Sequence, residues 1–158
     1  MRRIEPGPDQ ESVWDYPRPP RVEPTTQRVV IALGGLTIVD STDAVRVLET
    51  SHPPVYYLPR TAFAPGSLSE AEGTSFCEFK GIARYLTVGG ADRSAWYYPD
   101  PSPGFEALAD RVAVYPGRMD SVTVDGEAVI PQAGGFYGGW ITSRVVGPFK
   151  GGSGTSGW

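Results

Sequence analysis

Glycine turns set inside β-branched runs constrain this chain more than any other feature. In RVVIALGGLTIVDS, residues 28–41, two apolar runs flank Gly34-Gly35, and both turn positions can take the positive φ that a two-residue hairpin requires. The same pattern recurs in SFCEFKGIARYLTVGGADRSAWYY around Gly89-Gly90, and in SVTVDGEAVI around Asp125-Gly126. Between the last two, FEALADRV places Phe105, Leu108 and Ala109 at helical spacing, which predicts one short helix near 105–111. Short strands, glycine turns and almost no helix define an all-β fold of antiparallel hairpins, a sandwich or a partly open barrel.

Two unusual segments flank this body. Residues 1–27 hold six prolines, which remove backbone donors and fix φ, so they are expected to form an extended arm. Trp14 and Tyr16 within it are large apolar surfaces, and they predict that the arm docks on the body or on a second subunit. Residues 131–158 combine nine glycines with Phe136, Tyr137, Trp140, Phe149 and Trp158. Backbone freedom with aromatic anchors fits a segment that wraps over a surface, and a mobile tail is the alternative. The expected organisation is therefore an arm at 1–27, a β domain at 28–130 and a Gly/aromatic extension at 131–158, with a homodimer through the arms as one outcome.

Charge and cysteine content narrow the function classes. A net charge of −4 with scattered arginines argues against nucleic-acid binding, which draws on clustered Lys and Arg. No run reaches the length of a membrane span. The lone Cys77 has no partner for a disulfide and none of the paired spacings of a zinc site, which predicts a cytoplasmic protein without a metal or other cofactor. No phosphate loop, G-x-S-x-G elbow or CxxC is present.

Three stretches carry the candidate site residues. RVLETSHPPVYYLP holds Arg46, Glu49, His52, Tyr56 and Tyr57, with Pro53-Pro54 stiffening the approach to a strand. Glu49 and His52 are candidates for an acid/base pair; the alternative is a surface Arg46–Glu49 ion pair with one tyrosine packed inward and one outward. In the second stretch Ser75, Cys77 and Phe79 are expected on one strand face, and Phe76, Glu78 and Lys80 on the other, unless Gly81 marks a bulge. Cys77 is either a wall residue or a nucleophile needing a base or cation beside its sulfur. In the third, SAWYYPDP, Trp96, Tyr97 and Tyr98 form either core or a platform for a planar ligand.

Taken together, VVIALGGLTIVDSTDAVRVLETSHPPVYYLP, FCEFKGIARYLTV, SAWYYPDPSP and VAVYPGRMDSVTVDGE resemble successive signatures of the domain-of-unknown-function family 427, over most of residues 14–130. The closing GGFYGGWITSRVVGPFKGGSGTSGW resembles the extension of a longer subgroup. The resemblance implies a β-tent, in which two antiparallel sheets pinned at an angle enclose a cleft. The zinc held by related tents needs cysteine pairs that this chain lacks. A nucleotidyltransferase activity associated with the family would need a paired-aspartate motif or a phosphate loop, and neither is present. Positions matching the family are Glu49, Tyr56, Tyr57, Cys77, Lys80, Gly81, Tyr85, Trp96, Tyr98, Pro99 and Tyr115. The implied site is an aromatic, polar-rimmed pocket for an unidentified small molecule, with Tyr56, Trp96 and Tyr98 as stacking walls and Arg46, Glu49 and Lys80 as polar anchors. Catalysis by Cys77 or by Glu49 and His52, and a non-catalytic oligomeric module, are the competing readings.

Overall fold

The computed structural model describes residues 1–158, and the chain is all-β. Its strands are β1 (Glu11–Ser12), β2 (Arg21–Thr25), β3 (Val29–Leu33), β4 (Leu36–Ser41), β5 (Ala44–Leu48), β6 (Val55–Pro59), β7 (Leu68–Cys77) and β8 (Gly81–Val88). They continue as β9 (Ala91–Tyr97), β10 (Arg111–Val114), β11 (Ser121–Val124), β12 (Glu127–Ala128), β13 (Ile130–Pro131), β14 (Trp140–Ile141) and β15 (Val145–Val146). The short helix expected near 105–111 is a single 3₁₀ turn, Glu106–Leu108. Gly104 at φ 93° and Asp110 at φ 60° bound it on either side, so no room is left for the nucleus of an α-helix. No helix is long and apolar enough to cross a membrane.

The glycine turns fall where the sequence places them. Gly34 and Gly35 sit at φ 62° and 78° between β3 and β4, and Asp125 and Gly126 at φ 49° and 82° between β11 and β12. The central hairpin is in fact two, because a three-residue turn, 78–80, joins β7 to β8 before Gly89-Gly90 joins β8 to β9. A seven-stranded antiparallel sheet runs β2-β5-β6-β10-β9-β8-β7, and a four-stranded one runs β12-β11-β3-β4.

Because side chains alternate along a strand, the large sheet buries two faces. One face packs Leu58, Leu86, Val88, Val112 and Val114 against Val29, Ile31, Val122 and Val124 of the small sheet. The other carries Val45, Val47, Tyr57, Ala83, Trp96, Tyr98 and Ala113, with Phe105 and Leu108 of the 3₁₀ turn laid over them.

That second face is folded inward. Val47 on β5 and Cys77 on β7 border one cavity although five strand-to-strand steps separate them. At roughly 4.8 Å per step a flat sheet would set them about 24 Å apart. The bend is eased at β6–β10, where only two residue pairs, Arg111 with Pro59 and Val112 with Leu58, hold the halves together. Register shifts in the β7–β8 and β8–β9 ladders add curvature. The cleft of this tent therefore lies in the angle of the bent large sheet, and the small sheet packs against the opposite face.

Both terminal segments fold back on their own body. β1 pairs in parallel with β15, the Trp14 indole donates to the Pro148 carbonyl at 2.8 Å, and Val13, Tyr16, Leu48 and Val145 form a small core. β2, inside the proline-rich segment, is an edge strand against β5, a place where Pro24 breaks no ladder on its outer side.

Candidate functional site

The cavity in the bent sheet has a volume of about 280 Å³. β5 and β6 contribute Val47, Val55 and Tyr57, and the connection between them contributes Glu49, His52 and Pro53. β7 contributes Ser75, Phe76 and Cys77, and β8 and β9 bring Tyr85 and Trp96, with Tyr98 and Tyr115 just past their strands. The roof is the C-terminal extension, through Gln132, Phe136, Tyr137, Gly138 and Lys150.

Lys80 reaches this cavity because it is not a strand residue. β7 ends at Cys77, and Lys80 closes the turn before Gly81, whose φ of 108° reverses the chain. Strict alternation would have set Cys77 and Lys80 on opposite faces; the turn brings them to the same wall. The Lys80 ammonium lies 5.9 Å from the Tyr98 ring centroid. Burial works against its charge, but the Tyr57 hydroxyl, the Cys77 thiol and Glu49 around it more than compensate, and it is held above the ordinary lysine range. Cys77 is a half-buried free thiol.

The aromatic walls meet edge to face. Tyr57 and Trp96 ring centroids are 6.3 Å apart at 86°, and Trp96 and Tyr115 are 4.6 Å apart. Trp96 Nε1 donates to the Tyr57 hydroxyl at 3.3 Å, which satisfies the buried indole N–H. Burial pushes the phenols of Tyr57 and Tyr98 up, and that of Tyr115, beside Tyr85, up to about 12. All three are therefore neutral hydroxyls at physiological pH.

His52 is buried against the Tyr137 ring at 4.9 Å. Burial, with Lys150, Arg18 and Lys80 nearby, lowers its pKa to about 4 despite the opposing effect of Glu49. The Gln132 side-chain amide contacts Nδ1 at 3.3 Å; with the amide as donor, the ring proton is assigned to Nε2. Nε2 is 3.9 Å from a Glu49 oxygen, beyond hydrogen-bond reach, and that same oxygen accepts from Arg18 Nε at 2.9 Å. The two are neighbours in the site but do not form a hydrogen-bonded acid/base pair.

Of the residues singled out from sequence, Glu49, His52, Tyr57, Cys77, Lys80, Tyr85, Trp96, Tyr98 and Tyr115 line this cavity. Arg46 and Tyr56 do not. They are register partners on β5 and β6 and point to the other face. Arg46 neither pairs with Glu49 nor faces the cavity; its buried guanidinium bonds Glu11 at 3.0 and 3.3 Å and also Glu23, tying β1 and β2 to β5. Tyr56 stacks on Trp140 at 4.7 Å and donates to Gln27. Tyr56 and Tyr57 are thus both buried, on opposite faces of one strand.

The roof residues escaped the site reading, although the GGFYGGW pattern carried the signal. A Cβ on Gly138 would overlap the Trp96 ring, and one on Gly139 would stand 2.5 Å from Gln132 Oε1 and 2.6 Å from Pro53 Cγ. The glycines are what let the extension lie flat on the aromatic wall. Gln132 fastens it, taking a bond from Gly139 N at 3.1 Å and donating to the Lys150 carbonyl at 2.7 Å, while Lys150 N donates to the Ser51 carbonyl at 2.8 Å.

The chain matches the family described as domain of unknown function (DUF427) over residues 21–125. It is a DUF427 protein. The DUF427 match takes in every strand from β2 to β11 and all of the cavity floor, whereas Gln132, Phe136, Tyr137, Gly138 and Lys150 lie beyond it. Among curated proteins none matches the chain. No three His, Cys, Asp or Glu side chains come together in a way that could hold a metal ion.

Proposed function

We propose that this DUF427 protein is a cytoplasmic small-molecule-binding protein whose ligand sits in the angle of the bent sheet, under the C-terminal extension. One observation carries the reading. Chain segments from three distant parts of the sequence converge on one concave space in which eleven of nineteen lining residues are hydrophobic and a few polar groups, Glu49, His52, Lys80 and Lys150, point inward. Mostly apolar walls with sparse convergent polar groups are the usual anatomy of a small-molecule site. The one free thiol suits a reducing compartment.

Ligand-observed NMR with a library of small fragments tests this directly, using the native chain and Ser75→Trp, whose new ring would fill the cavity from β7. Fragment signals that respond with the native chain and not with the filled variant support the reading. Equal responses from both proteins, or none from either, would refute it.

A further inference from the structure

We infer that the ligand of this cavity is a small flat organic carboxylate, with its anionic end at Lys80 and its ring against Trp96 and Tyr98. This rests on the binding reading above and adds the chemical class.

The charge inventory of the walls sets the sign. Glu49 is the only carboxylate among the lining residues, and it is already engaged by Arg18 at 2.9 Å. Lys80 also lines the cavity, and it has no carboxylate within 4.0 Å. Lys150 is already engaged at the roof: it donates to the Trp158 main-chain oxygen at 3.1 Å, and its ammonium stands 5.6 Å from the Tyr137 ring. A chain of net charge −4 thus keeps the Lys80 cation without a carboxylate in contact, in an aromatic recess. The Lys80 ammonium is the group on this wall that can take a charge-assisted hydrogen bond from an anionic ligand. A cationic ligand would meet both lysines.

Size sets the class. A volume of about 280 Å³ has room for one ring and one carboxylate. The walls are aromatic: Trp96, Tyr98 and Tyr57 border the cavity, and the neutral phenols add hydroxyl donors without adding negative charge.

Titration calorimetry with benzoate, benzamide and inorganic phosphate, on the full chain and on Lys80→Met and Lys150→Met, separates the possibilities. The expected result is binding of benzoate in preference to benzamide by at least about tenfold, with that preference lost in Lys80→Met while its melting temperature stays near that of the native protein. If Lys80→Met fails to fold, the same loss in Lys150→Met, or a fall in benzoate affinity with rising salt, takes its place. Benzamide binding as tightly as benzoate overturns the anion inference and leaves the cavity reading standing. Phosphate binding alone overturns the aromatic part. Failure of all three probes, together with a silent fragment screen, brings down the cavity reading as well.

Discussion

His52 should make the protein acid-sensitive between about pH 7 and pH 5. It is the only histidine in the chain. Its imidazole is buried between the roof and the β5–β6 connection, with a pKa lowered to about 4, against about 6.5 in an unfolded chain. The folded-state value is depressed, so the contribution to stability is fully present above about pH 6.5 and is lost as the pH falls, levelling off below about pH 4. At pH 7 both states are mostly neutral; at pH 5 the unfolded imidazole is charged and the folded one is not. Integrating the proton-binding difference between these pH values gives a loss of about 2 kcal/mol. The carboxylates of Glu11, Asp40 and Glu106 are held below their ordinary range, so their contributions are lost at lower pH than most of that of His52. Urea unfolding at pH 7 and pH 5, on the native chain and on His52→Gln, reads the effect as a shift of midpoint at constant slope. The variant should be less stable at pH 7 but nearly indifferent to the pH change. An equal fall in both proteins, or an imidazole proton resonance that titrates near pH 6.5 in the folded chain, would refute the reasoning.

Further predictions concern the roof, the opposite face and the thiol. Gly138→Val forces a side chain into the Trp96 ring; with Trp96 held in the sheet, the extension must lift, costing about 1–3 kcal/mol and exposing residues 132–150 to limited proteolysis. Arg46→Met strips Glu11 and Glu23 of their shared partner; since both carboxylates are partly exposed and can rehydrate, the loss in urea unfolding should be about 1–3 kcal/mol, below the cost of breaking a fully buried pair. Because Arg46 lies on the far face, benzoate affinity should be unchanged in that variant. Cys77 borders the cavity, so saturating benzoate should slow its alkylation by iodoacetamide; an unaltered rate would place the ligand elsewhere.

The parts of this structure that were legible in the sequence are those set by local chemistry. Gly34-Gly35, Gly89-Gly90 and Asp125-Gly126 sit in turns because β-branched runs on either side leave the chain nowhere else to reverse. The family relationship was legible from motif blocks of the same body. Long-range geometry was not. Tyr56 and Tyr57 are indistinguishable as letters, and which of them faces the cavity depends on which face of the bent sheet turns inward, a property of the whole seven-strand order. Arg46 finds its carboxylates 35 and 23 residues away on β1 and β2, beyond any helical or strand spacing. Lys80 was assigned to a strand by its neighbours and escapes to the cavity because Gly81 starts the next strand at a φ of 108°. The roof was readable only as glycines among aromatics, a composition equally suited to a tail, until Gly138 is seen against Trp96.

The most direct test is a crystal structure of the full chain soaked with 4-bromobenzoate, located by the anomalous scattering of bromine. The account predicts one bromine inside the bent sheet, in contact with Trp96 and Tyr98 beneath the C-terminal extension, with the carboxylate at Lys80. Bromine found only on the outer surface, or in the depression beside Arg46 and Tyr56, would contradict it.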